Sequence, residues 1–201
     1  EWGAVAYLSH SKYGINDEIR INNNSKYITG YASTDEADQS SYPGTSGTAS
    51  TVTLPYNTET GYKATTTGNI TGIYDMSGGA EEIMAAYSGV GPSGLTAVEL
   101  STYEKYFDIY PSNSSTSTWN NRILGDATGE MGPFYYYASR ADDFRFHNNW
   151  SADVSNFILS ASPWFRRGGG NSNGFLSGQF AFLRYTGGGD SFTFRIVLAT
   201  K

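Results

Sequence analysis

The sequence predicts an α+β domain with two helices, a C-terminal strand pair and long irregular loops. Three observations carry this prediction. Apolar residues recur at helical spacing in Glu1–Tyr13 and again in Leu95–Tyr110. Phe180 and Phe182, then Phe192, Phe194, Ile196 and Leu198, alternate as strand residues do. The stretches between are dense in Gly, Ser, Thr and Asn, which favour turns over continuous pairing.

In chain order, Trp2, Val5 and Leu8 give the first helix its stripe, and Gly14 offers a stop. Asn22–Pro55 reads as loop, with Thr51–Leu54 as a short strand. Gly68–Tyr74 is a turn with a compact apolar entry. Ala80–Tyr87 has helical propensity, but glycines at 78, 79 and 89 flank it and leave it too short for a good helix. Thr96 caps the second helix, with Glu99 three residues later as in a capping box. Its apolar face is Val98, Leu100, Tyr103, Tyr106 and Phe107, and Pro111 ends it. Trp119–Pro133 is loop, Phe134–Tyr137 a short strand, and Asp142–Trp150 a surface loop with aromatic anchors. The two C-terminal strands form one hairpin around the "TGGG" loop. No repeat or linker divides the chain, so residues 1–201 make one domain.

Composition narrows the function. Charged residues are 16%, below the usual quarter or so of a chain, so Ser, Thr, Asn and Gly build the polar surface. Tyr, Ser, Gly and Asn are also the residues that antibody combining sites favour. The net charge of −6 and dispersed arginines argue against a nucleic-acid partner. No run approaches the roughly 20 apolar residues of a membrane span. Cysteine is absent, which excludes disulfides, thiol chemistry and Cys-based zinc sites.

Potential reactive groups each have a plainer reading. The Gly-rich, basic run Arg166–Gly174 fits neither phosphate-loop pattern, and its glycines serve positive φ or close packing. Ser9, His147 and Asp143 can be assembled into a triad only on paper; His10 belongs to the first helix. Asp142–Asp143 and Glu81–Glu82 are adjacent carboxylates. In a strand such neighbours face apart, and in a loop they are the place for a structural calcium ion. No cofactor is otherwise expected. Trp2 and Trp164 are expected in the core, with Trp119 and Trp150 open between core and surface.

Four segments in order resemble one family. "EWGAVAYL" (1–8), "TGNITGIYDMSGGAEEI" (67–83), "WFRRGGG" (164–170) and "FTFRIVLA" (192–199) are similar to segments of formylglycine-generating-enzyme-like domains. The resemblance spans nearly the whole chain. It implies a C-type-lectin-like fold, with two helices, small antiparallel sheets and long loops, and it implies that Ala80–Tyr87 is extended. Gly79 and Ile83 depart from the family pattern, and without cysteine the copper-dependent chemistry of the sulfatase-activating enzymes is excluded. The calcium-dependent sugar motifs of animal C-type lectins are also missing.

The same fold carries the variable proteins of diversity-generating retroelements, from phage tail tips and bacterial surfaces, some of them pilin-like. "SPWFRRGGG" with "SFTFRIVLA", "EWGAVAYLSHSKYG" and "RILGDATGE" resemble their framework. A start at Glu1 suits a soluble domain cut from such a parent. The resemblance implies a non-enzymatic binder on a cell or phage surface, with a protein or glycan ligand on another surface and a variable face within 164–192. Trp164, Phe180, Phe182, Phe194 and Ile196 are then buried. Gly168, Gly169, Gly174, Gly178 and Gly187 shape turns. Arg166, Asn171, Asn173, Phe175, Leu176, Ala181, Leu183, Arg184, Tyr185 and Asp190 face the ligand. A calcium-assisted carbohydrate-binding module is the alternative, and an enzyme with altered chemistry is a third reading.

Overall fold

The computed structural model describes residues 2–33, 53–88, 95–106, 108–110, 150–154, 162, 164–185 and 189–196. Helix α1 (Trp2–Ser9) opens the chain and is shorter than its apolar spacing suggests. The Ser9 hydroxyl bonds back to the Ala6 carbonyl at 2.6 Å, and the Asn16 N–H takes the Ser9 carbonyl at 2.6 Å, so the chain folds back over the helix end. Strands β1 (Ala32–Ser33) and β2 (Thr53–Leu54) pair antiparallel. A one-turn helix α2 (Glu59–Tyr62) follows, capped by the Thr58 hydroxyl.

The main sheet has five strands among the described residues, and it is mixed. At its centre lies β3 (Glu81–Ser88), so Ala80–Tyr87 is extended, as the resemblance implies. Gly78 and Gly79 both take positive φ (+73° and +68°), which breaks any helix before it can start. One edge of β3 pairs antiparallel with β5 (Trp164–Arg167), which in turn pairs antiparallel with β6 (Phe182–Tyr185). The opposite edge takes two short strands in parallel: β7 (Phe192–Thr193) beside Glu81 and Glu82, and β4 (Asp108–Tyr110) beside Ala86–Ser88.

Two expectations are corrected here. Helix α3 covers only Ala97–Tyr103, relaxes into a 3₁₀ turn at Glu104–Tyr106, and gives way to β4. Its capping box is present: the Glu99 N–H bonds the Thr96 hydroxyl at 3.2 Å, and the Glu99 carboxylate accepts from the Thr96 N–H at 2.8 Å. Yet Val98, Tyr103 and Tyr106 on its apolar side are exposed. The periodicity runs on past the point where pairing with β3 is available to the backbone, and strand pairing takes the last residues.

Nor do the C-terminal strands form a hairpin. β6 pairs with β5, whereas β7 crosses to the far edge of β3. Phe180 and Phe182 are buried as expected, but Phe194 and Ile196 are 73% and 75% exposed. Pairing in β7 stops at Thr193, and the alternation continues beyond it.

The core lies between α1 and the sheet. Trp2, Ala6, Ile19, Met76 and Phe180 form its centre, flanked by Val5, Ile15, Ile73 and Met84. A smaller cluster of Val154, Ala181 and Leu183 carries Leu176 on its rim. Trp2 is buried, Trp164 half-buried, and Trp150 packs edge-on against Tyr7 and Phe180 at the surface. Trp119 and the Phe134–Tyr137 strand lie outside the described residues. No helix among the described residues is long and apolar enough to cross a membrane.

Candidate ligand-binding face

The segment from β5 to β6 is a tight excursion on a locked base. Gly168 and Gly169 turn the chain out of β5 with φ of +84° and +67°. A side chain at Gly169 would meet the Ser177 Cα at 2.8 Å, so only glycine lets the two arms of the excursion close. The closure is hydrogen-bonded throughout. The Ser177 hydroxyl bonds the Gly170 carbonyl at 2.6 Å, the Gly178 N–H bonds Gly168 at 3.2 Å, and the Asn171 N–H reaches across to Gly79 at 2.9 Å. The 3₁₀ turn Asn171–Leu176 sits at the tip. The Asn173 side chain accepts from the Gly170 N–H at 2.6 Å and caps it.

Beneath the tip is Arg167, fully buried at 1% exposure. Its Nε donates to the Ala181 carbonyl at 2.8 Å and an Nη to the Gln179 carbonyl at 3.3 Å. Its guanidinium stacks between the Trp2 ring at 5.5 Å and the Phe182 ring at 4.8 Å. The Gln179 carbonyl also accepts the Trp2 indole N–H at 2.7 Å. These contacts engage the groups a phosphate cradle would need, consistent with a structural role for the Gly-rich run.

The ten residues expected on the face divide. Asn171, Asn173 and Leu176 are half-exposed at the tip, and Asp190 is exposed on the neighbouring turn. Arg184 is half-buried, and burial pushes its pKa below the usual value. The side chains of Phe175 and Tyr185 lie outside the described residues. Arg166 is half-buried and turned along the sheet. It pairs with Glu81, donates to the Arg184 carbonyl at 3.2 Å and lies 4.8 Å over the Phe192 ring. Ala181 and Leu183 are corrections: both are buried in the smaller core cluster. Both sides of this stretch are covered: Ala181 and Leu183 pack with Val154, while Phe180 and Phe182 are buried as well, and Arg184 is the first side chain after them to be half-exposed.

The paired glutamates are also resolved. Glu81 and Glu82 do face apart, Glu81 to Arg166 and Glu82 to Arg195, so the two carboxylates do not converge on one point. Asp142, Asp143, His147 and Gly187 lie outside the described residues. Ser9, drawn into the paper triad, is buried with its hydroxyl committed to Ala6 and Gln179.

Sequence reasoning missed a buried acidic pair behind the face, Glu18 and Asp153. Asp153 accepts the Phe180 N–H at 2.8 Å, and its carboxylate fills the space a side chain at Gly178 would need. Its other oxygen has no hydrogen-bond partner among the described residues. Burial and the neighbouring Glu18 push the Asp153 pKa well up, against weaker help from Arg167. Burial likewise raises Glu18 to about 7; the Ser151 hydroxyl and Gln179 N–H pull the other way without full hydrogen-bond geometry. His10 stands 3.6 Å from Glu18 and 5.1 Å from the Phe180 ring, and burial lowers its pKa despite Asp17. A lone Glu beside Asp17 and an Asp far along the chain gave no spacing signal for this pair.

The chain matches no protein-family model, no curated protein and no solved structure.

Proposed function

We propose that this chain is a non-enzymatic ligand-binding domain on a C-type-lectin-like frame. On this reading it is a diversity-generating-retroelement variable protein, displayed on a cell or phage surface for adhesion or receptor recognition. The observation that carries the reading is the contrast within one excursion. Arg167, Gly169, Ser177 and Gln179 fix the base by buried bonds and close packing, while Asn171, Asn173 and Leu176 stand half-exposed at the tip. Side chains at such a tip change without loss of the frame beneath. Two resemblances support the same reading: the order of the four family segments, and the framework stretches shared with the variable proteins.

The test is to sequence the coding segment for residues 164–192 across one natural population. Substitutions concentrated at adenines in the codons for the tip residues and Asp190, with Arg167, Gly169 and Gln179 constant, are expected. A uniform segment would overturn the diversification reading.

A further inference from the structure

A concavity lies beside the edge of the sheet where β7 meets β3. It is an open cleft of about 400 Å³, within the range of small-molecule sites. Its walls include the rings of Tyr27, Tyr74 and Phe194. Its charged residues are Asp75, Glu82 and Arg195, one carboxylate more than the guanidinium neutralises. Tyr27 and Asp75 hold positive φ (55° and 60°), so two of the non-glycine residues in this rare region line the cleft.

The hydrogen bonds decide which ligand such a cleft suits. The Asp75 carboxylate already accepts from the Thr29 hydroxyl, the Asn22 amide at 2.8 Å and the Gly30 N–H at 3.1 Å. Glu82 receives the Arg195 Nε at 3.0 Å, and Arg195 also donates to the Tyr74 carbonyl at 3.1 Å. Both carboxylates thus already hold several donors. The cleft adds to them an excess negative charge and three aromatic residues, of which Tyr27 and Phe194 are exposed. Charge and rings together attract a cation with an apolar skirt, because ring quadrupole and carboxylate act in the same sense.

We propose that this cleft binds an organic cation, an ammonium or guanidinium group bearing apolar substituents, between Tyr27, Tyr74 and Phe194 with Asp75 as counter-charge. The cleft shares none of its lining residues with the ten residues expected on the ligand face. Its ligand is either a free alkylammonium compound or the side chain of a cationic residue on a partner.

Titration of the whole chain with choline, followed by NMR, tests it. Saturable shifts at Tyr27, Tyr74 and Phe194 are expected, with no comparable response to dimethylbutanol, the uncharged isostere of choline. Phe194→Ala removes an exposed ring that the core does not use, and Asp75→Asn removes the charge while keeping a residue that tolerates positive φ. Each should weaken binding about tenfold. A parallel titration with N-acetyl-arginine amide separates the sources. A stronger response to choline assigns a free alkylammonium ligand, and a stronger response to the arginine derivative assigns a partner's side chain. No saturable shift with either cation, equal shifts with dimethylbutanol, a response to neutral monosaccharides instead, or unchanged affinity in both variants would overturn the proposal.

Discussion

Glu81 and Glu82 on β3, and Glu18 with Asp153 behind the proposed ligand face, are all buried acids, yet they stand on opposite energetic footings. The β3 pair is divided between two arginines, so each negative charge is compensated where it lies. Glu18 and Asp153 are both fully buried, Glu18 pushes the Asp153 pKa up, and Arg167 pulls it down only in part. The first arrangement holds the sheet together only while both partners are present. The second is a standing cost that a proton relieves.

The largest effect should come from breaking the better-buried compensated pair. Arg166→Ala leaves Glu81 buried and uncompensated, and should destabilise the fold by about 3 kcal/mol in urea unfolding. A loss near zero would mean that Arg166 belongs to the ligand surface rather than to the frame.

Glu18→Gln should act in the opposite direction. The folded state raises the Glu18 pKa from 4.5 to about 7, so it binds the proton more tightly than the unfolded chain. The favourable contribution is complete below pH 4.5 and is lost as pH rises through about 7. Stability should therefore fall across that window in the parent. The variant should flatten the fall and gain on the order of 2 kcal/mol above it. An unchanged slope would place the titration elsewhere.

The smallest of the three effects belongs to Arg195→Ala. Its side chain is 37% exposed, so water partly replaces it beside Glu82. About 1 kcal/mol is expected in the same unfolding measurement. A loss equal to that of Arg166→Ala would show that exposure does not separate the two pairs.

Local chemistry was legible in the sequence where short-range rules decide the structure. The Thr96–Glu99 capping box, the glycines before β3 and the turn at Gly168–Gly169 all follow from residue type and spacing. Strand partnership was not legible. Phe192, Phe194 and Ile196 alternate whether their strand returns beside β6 or crosses to β3, and only the second leaves Phe194 and Ile196 in solvent. Leu183 and Ala181 went astray because both faces of residues 180–183 are covered, one of them by Val154, which comes from elsewhere in the chain. The acidic pair was hidden because Glu18 and Asp153 meet only through tertiary packing.

The indole of Trp2 and the carbonyl of Gln179 are 177 residues apart in the chain. Their bond closes the base on which the proposed binding tip stands. A ribosome must therefore release nearly nine-tenths of these residues before that base can assemble. Until then Trp2 and Ala6 have no lasting cover, and the nascent chain is open to proteases and to its neighbours. This base is therefore assembled only after the segment that carries the tip has itself been made.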